Sequence, residues 1–379
     1  MQWKIPLSDI DFGPDERAAV DSVLQSKWLT MGSVTEEFEQ AFAAYIGAKY
    51  AIAVTNATAA LHLSCVAAGL GPGDEAIVPS LTFVATANAV RYTGATPVFA
   101  DIAGEEDLNI SHHSIEKTIS ERTRAILVMH YGGYACDMPS IMELARERGL
   151  KVIEDAAHAV GSELGGIKLG IWGEMGCFSF FSNKNMTTGE GGMIVTNDEA
   201  YSQRLHLLRS HGMTTLTWDR HRGHAWSYDV VDLGYNYRID EIRAALGIVQ
   251  LGKLAVNNER RRRLTQVYRE ALQELTPQVA VPFTHHAGIS AAHLMPVLLP
   301  GRTNRPGLME SMKSQGIQTS IHYPPIHTFT AYNGGKAKQF LPNTEDIAGR
   351  EVTLPLYPAM SDEDVFSVAK AIAQALVPA

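Results

Sequence analysis

The stretch from Tyr50 to Thr196 constrains this chain most, because short apolar runs alternate with amphipathic segments all along it. The runs at 50–54, 75–78, 96–101, 124–129 and 150–155 read as strands, and 176–181 and 192–196 look like two more. Between them, 57–68, 82–93 and 138–148 carry helical spacing. Helices used as connections bring neighbouring strands in parallel and cover both faces of the sheet. The pattern therefore predicts an α/β fold with a mainly parallel mixed sheet flanked by helices.

The flanks read differently. Pro14 opens a predicted helix over 14–26, and Val20, Val23 and Leu24 share a face of it. A second helix starts near Ser33, where Ser33 and Glu36 fit a capping box, and Gly47 stops it. Past residue 250, Leu264, Val267, Tyr268, Ala271, Leu272 and Leu275 trace a long amphipathic helix. A strand at 293–299, a helix at 306–314, a strand at 317–322 and a last helix from Ser361 follow. With 379 residues to place, this predicts a large domain over 14–250 and a smaller α+β domain over 251–379 that takes in 1–13. The segment 322–342, rich in Pro, Gly and aromatic residues, reads as a long functional loop.

Charge and cysteine usage narrow the function classes. A net charge of −9 argues against nucleic acid as the main partner. The run Arg260 to Arg263 is the one dense basic cluster and reads as the solvated face of a helix. No apolar segment near the start is long enough for a signal peptide or a membrane span. Cys65, Cys136 and Cys177 lie far apart without CxxC spacing, which predicts neither a metal site nor a disulfide framework and points to a reducing cytoplasm.

Ligands of open parallel sheets sit beyond the carboxyl ends of strands, and several polar groups fall there. Asn56-Ala57-Thr58-Ala59 follows a strand and opens a helix, as a phosphate cradle would, though a plain N-cap gives the same pattern. Asp155 ends an apolar run; it either faces a cationic ring nitrogen or caps a following helix. His158, three residues on, shares a face with Asp155 if that stretch is helical. Lys184 follows the aromatic run 178–183 and precedes Gly189-Glu190-Gly191-Gly192. Most lysines are solvated surface charges, but burial here would favour the neutral amine needed to form an imine. Ser179 alternates with the aromatics of that run and is placed to reach a phosphate.

Taken together, 56–61, 152–161 (VIEDAAHAVG), 178–184, 189–192 (GEGG) and 234–240 (GYNYRID) resemble the nucleotide-sugar aminotransferases of the DegT/DnrJ/StrS group. Trp28-Leu29-Thr30 and Leu354-Pro355-Leu356-Tyr357-Pro358 extend the resemblance over essentially the whole chain. It implies a fold-type I enzyme that uses pyridoxal 5′-phosphate (PLP). By that resemblance Lys184 is the Schiff-base lysine and proton shuttle, Asp155 pairs with the pyridine nitrogen, and His158 stands beside the phenolic oxygen. Phe83 stacks on the ring. Thr58, the Ala59 backbone and Ser179 hold the phosphate, and Asn236 reaches the cofactor phosphate of the neighbouring subunit in a homodimer. Related dehydratases carry His where this chain has Lys184, so transamination is expected.

The finer expectation is amino transfer from L-glutamate to C4 of a UDP- or dTDP-linked 4-keto-6-deoxyhexose or 4-keto-pentose. His158, 208–212 and 319–323 resemble relatives that aminate C4 of UDP-sugars. Trp28, Thr30, Arg238, His322, Tyr323 and His327 are the substrate-side candidates, with loop packing the alternative for His322 and His327. Two other functions compete: amination of a keto-cyclitol or other antibiotic-pathway ketone, and PLP-dependent sensing without turnover.

Overall fold

The computed structural model describes residues 3–215, 218, 223, 227–333 and 339–376. The chain opens with helices α1 (Pro14–Ser26) and α2 (Ser33–Ile46). There follow β1 (Tyr50–Val54), α3 (Ala57–Ala67), β2 (Glu75–Pro79), α4 (Ala85–Tyr92), β3 (Thr96–Ala100), α5 (His112–Thr118), β4 (Thr123–Met129), α6 (Met138–Arg148) and β5 (Lys151–Asp155). A small hairpin, β6 (Glu163–Leu164) and β7 (Ile167–Lys168), precedes β8 (Met175–Ser179), β9 (Gly192–Thr196) and α7 (Glu199–Arg209). The sheet runs β1-β9-β8-β5-β4-β2-β3. β9 is antiparallel to both its neighbours, and the remaining pairs are parallel. The mainly parallel, doubly covered sheet expected from the sequence is thus present, and the strand bounds differ from the expected ones by two residues at most.

Helix α8 (Glu241–Leu275) is 35 residues long and runs unbroken through residue 250. Its first half packs on α1 and α2. Its second half joins another core with Ile5, Val297, Met312, Val352 and Ile372. That core is built on the antiparallel pair β10 (Met295–Leu298) and β11 (Glu351–Leu354), with helices α9 (Arg305–Ser314) and α12 (Asp362–Leu376).

Three expectations need correction. The segment 317–322 forms only isolated bridges, Ile317 to Ile5 and Ser320 to Thr353, rather than a strand. The capping box at Ser33 and Glu36 is replaced by a remote cap, since α2 is capped at Gly32 without any side-chain bond from its own start. Instead the Glu241 carboxylate accepts from the Gly32, Val34 and Thr35 N–H groups at 2.8, 2.8 and 2.9 Å and from the Thr35 hydroxyl at 2.6 Å. A carboxylate satisfies the orphan donors of a helix start better than a hydroxyl, wherever in the sequence it comes from. Finally, the basic run is not uniformly solvated. Arg261 is buried, donates to the Leu356 carbonyl at 2.8 Å, and is pushed down to about 10 by burial.

The loop expected at 322–342 contains the short helix α10 (Thr330–Asn333) and the start of α11 (Pro342–Arg350); its residues 334–338 lie outside the described residues.

Candidate active site

A cavity of about 440 Å³ opens where β1, β5 and β8 end. Thr58, Phe83, Asp155, His158, Ser179, Lys184, His322 and Tyr323 all line it. These eight residues come from five stretches of the chain, and the sheet is what converges them. Asp155 is the last residue of β5, Ser179 the last of β8, and Lys184 lies in the loop joining β8 to β9.

Asp155 is buried, and burial pushes its carboxyl up from the ordinary value. Two neutral donors oppose that rise. The Thr86 hydroxyl donates to Oδ2 at 2.7 Å, and the Ala157 N–H donates to Oδ1 at 3.2 Å. No helix follows Asp155, so it is not a helix cap, and His158 comes alongside it through a turn rather than along a helix face. Burial also brings the Lys184 ammonium down to about 8, with the Asp155 charge pulling the other way. The cavity therefore holds an amine that exchanges its proton near neutral pH.

The imidazole of His158 is held well below its ordinary value, by burial first and then by Lys184 and His322, so it is neutral. The Gly132 N–H donates to Nδ1 at 3.3 Å. A backbone N–H can only donate, so the ring proton sits on Nε2, 3.0 Å from the Tyr323 hydroxyl oxygen. His322 is anchored from behind: its N–H donates to Glu351 at 2.8 Å, and its Nδ1 lies 2.7 Å from the Thr353 hydroxyl. Burial lowers the His322 imidazole to about 4.

The other candidates lie elsewhere. The Ala59 N–H donates to Asn56 Oδ1 at 2.8 Å, so the cap uses the donor that the phosphate was expected to take. The N–H groups of Ala57 and Thr58, first in α3 and therefore without intrahelical acceptors, are left at the cavity wall. His327 is outside the cavity lining and buried, with Nδ1 2.7 Å from the Ser80 hydroxyl and Nε2 3.3 Å from Glu345. That geometry matches loop packing. Trp28 lines a separate hollow beside Trp218, their ring centroids 4.9 Å apart. Thr30 bridges Asp240, Arg238 bridges Val54, and the exposed Asn236 bridges Ser210, all through the backbone and outside the cavity lining.

Comparison with known proteins decides the family. A profile of the DegT/DnrJ/EryC1/StrS aminotransferase family matches residues 11–373. This chain belongs to that family. It is 40% identical to the spore coat polysaccharide biosynthesis protein SpsC of Bacillus subtilis, over 98% of this chain and 96% of SpsC. Its fold superposes with a TM-score of 0.91 on Helicobacter pylori PseC, an aminotransferase involved in pseudoaminic acid biosynthesis, at 30% identity and 99% coverage of both chains. DesI, solved in the presence of its TDP-sugar product, matches at a TM-score of 0.87 and 32% identity, over 98% of this chain and 92% of DesI. The chain is a PLP-dependent aminotransferase of fold type I.

The residues present fit that cofactor. A half-buried amine and a buried carboxylate face one cavity. Phe83 keeps 57% of its surface exposed at the wall, an aromatic face for a planar ring to cover. Asn183 Oδ1 is buried at the same wall with no hydrogen-bond partner among the described residues. At Gly192 a Cβ would sit 2.5 Å from the Asn56 carbonyl carbon, so only glycine lets β9 press against the start of α3.

Thr86, Asn183, Glu351 and the Gly132 N–H escape the sequence reading. Thr86 left one signal, its four-residue spacing from Thr82 across Phe83. Glu351 left none, because a carboxyl that meets the site through tertiary packing has no local pattern.

Proposed function

We propose that this aminotransferase moves the amino group of L-glutamate to C4 of a nucleotide-linked keto sugar, a UDP- or dTDP-4-keto-6-deoxyhexose or 4-keto-pentose. The observation that carries the reading is the convergence of the half-buried Lys184 amine and the buried Asp155 carboxylate on one cavity. The sugar pathways named for SpsC and PseC and the TDP-sugar of DesI support the substrate class.

PLP, when bound, supplies the carbonyl carbon that takes an amine and a ring that delocalises the electron pair left on carbon. Asp155 keeps a negative charge where the ring nitrogen is to be held cationic. Thr58, Ser179 and the Ala57 and Thr58 N–H groups at the start of α3 hold the phosphate. Phe83 covers one face of the ring. Within each half-reaction Lys184, near 8, would take a proton from one carbon and deliver it to another, donor to cofactor in the first and cofactor to sugar in the second. His158 and Tyr323 orient polar groups at the opposite wall, and His322 adds a neutral imidazole for the sugar.

The reading includes a homodimer in a reducing cytoplasm. Asn236 serves the partner's cavity, since it lies outside its own. Subunits carrying Lys184→Ala and Asn236→Ala, inactive apart, then regain activity when mixed, because one hybrid site is intact. Mixtures as inactive as their parents would refute the shared site.

Purified protein, L-glutamate and a panel of UDP-, dTDP- and GDP-linked 4-keto sugars test the substrate, with 2-oxoglutarate release and the mass of the aminated sugar as readouts. Parallel double-reciprocal lines are expected from the two-step exchange. Turnover of inososes alone, with no nucleotide-linked sugar accepted, would replace this substrate with a cyclitol.

A further inference from the structure

Thr86 sits in the first turn of α4 and is fully buried, as is Thr82 four residues earlier. The Thr86 hydroxyl donates to Asp155 Oδ2 at 2.7 Å, and the Thr82 hydroxyl lies 3.0 Å from the Thr86 oxygen. A carboxylate only accepts, so the single Thr86 proton is committed to Asp155. The Thr86 oxygen must then accept from Thr82. This directed chain, Thr82 to Thr86 to Asp155, flanks Phe83 and uses no cation.

We propose that Thr86 is a positioning residue for Asp155, holding its carboxylate ionised and aimed into the cavity, with Thr82 fixing the direction of the Thr86 hydroxyl. The inference rests on the reading of Asp155 as the partner of a cationic ring nitrogen. A buried carboxylate needs donors to stay charged, yet a lysine or arginine salt bridge would neutralise it and leave nothing for the ligand. Neutral hydroxyl and amide donors solve both demands: they stabilise the charge and leave its sign uncompensated. Burial raises the Asp155 carboxyl and the Thr86 bond is the foremost opposing influence, which agrees with this geometry.

Packing and hydrogen bonding predict opposite orders for two variants. Thr86→Val keeps the shape and loses the donor; Thr86→Ser keeps the donor and loses a methyl. If the hydroxyl matters, Thr86→Ser behaves as wild type. Thr86→Val then binds PLP about tenfold or more weakly, as loss of a hydrogen bond to a charged group implies. Its bound-cofactor absorbance also changes with pH at a shifted midpoint, because a ring nitrogen without a charged partner loses its proton more readily. Its half-reaction with L-glutamate slows by a similar factor. Thr82→Val shows the same changes, but smaller.

The readouts are equilibrium PLP titration of the cofactor-free protein, a spectral pH titration of the complex, and thermal midpoints. If Thr86→Val matches wild type in affinity and spectrum, or if Thr86→Ser is the more damaged of the two, the positioning role is overturned while the aminotransferase reading stands. If Asp155→Ala itself leaves the spectral pH profile unchanged, it is the ring-partner reading that fails, and the role of Thr86 with it.

Discussion

Glu154 and Asp155 are consecutive, both buried and both carboxylates, yet they do different work. Strand geometry sends them to opposite faces of the sheet. Glu154 accepts from the N–H groups of Gly170, Trp172 and Gly173 at 2.7, 2.7 and 2.8 Å and meets His130 Nε2 at 3.0 Å. It is a saturated clamp that pins the turn between β7 and β8 to β5. The glycines there are dictated by packing: a Cβ at Gly173 would sit 2.4 Å from the Val152 carbonyl oxygen, and one at Gly176 2.2 Å from that of Gly170. Asp155 has one neutral donor on each oxygen and faces a cavity. A buried carboxylate whose acceptor capacity is filled by its own chain is structural. One left with capacity toward open space awaits a partner.

The sharpest way to break this contrast is to remove the site groups. Lys184→Ala is expected to lower turnover by about a thousandfold or more, since it deletes the only amine among the described residues of the cavity wall, with no loss in thermal midpoint. Asp155→Ala should follow with a loss of about a hundredfold or more and some PLP retained. Stopped-flow half-reactions with L-glutamate measure both. Rates within a fewfold of wild type in either variant would remove that residue from the chemistry.

Glu154→Ala should invert the phenotype. It strips four partners at once, leaving the buried Gly170 N–H and the half-buried Trp172 and Gly173 N–H groups without their acceptor, a cost of about 3–5 kcal/mol. Urea unfolding should show that loss, while turnover per folded molecule stays within a fewfold. A stable but inactive Glu154→Ala would mean that the two carboxylates are not separable in this way.

Much of this was legible beforehand, and the misses have a common cause. The helices Pro14–Ser26 and Met138–Arg148 and the strands Tyr50–Val54 and Gly192–Thr196 match their expected bounds, because periodicity and terminal signals are local. Asp155 and Ser179 at strand ends, and Lys184 in the loop after one, were readable as site candidates for the same reason. Glu241 capping α2, and Glu351 behind His322, act across some 200 and 30 residues. His327 was open between a substrate contact and loop packing, and tertiary packing places its two nitrogens against Ser80 and Glu345. The donor on Asp155 was hidden likewise: nothing in the sequence says that Thr86 rather than Thr82 reaches it.

The smallest expected effect is electrostatic and tests the contrast most finely. Lys184 stands near 8 because burial disfavours its charge while Asp155 favours it. Removing that negative charge with Asp155→Asn leaves burial unopposed, so the amine falls below about 8. The pH dependence of acylation of Lys184 in the cofactor-free protein, read by peptide mass, gives the midpoint. Glu154→Gln removes a carboxylate one residue away, but on the opposite face and already saturated, and should leave the midpoint in place. The same depression has a thermodynamic side. Between about 8 and 10.5 the unfolded chain carries a proton at Lys184 that the folded chain lacks, so stability of the cofactor-free protein rises with pH across that window. Lys184→Met should abolish that contribution. If Glu154→Gln moved the amine as far as Asp155→Asn does, proximity in sequence, rather than the open acceptor capacity of Asp155, would be setting the charge at the site.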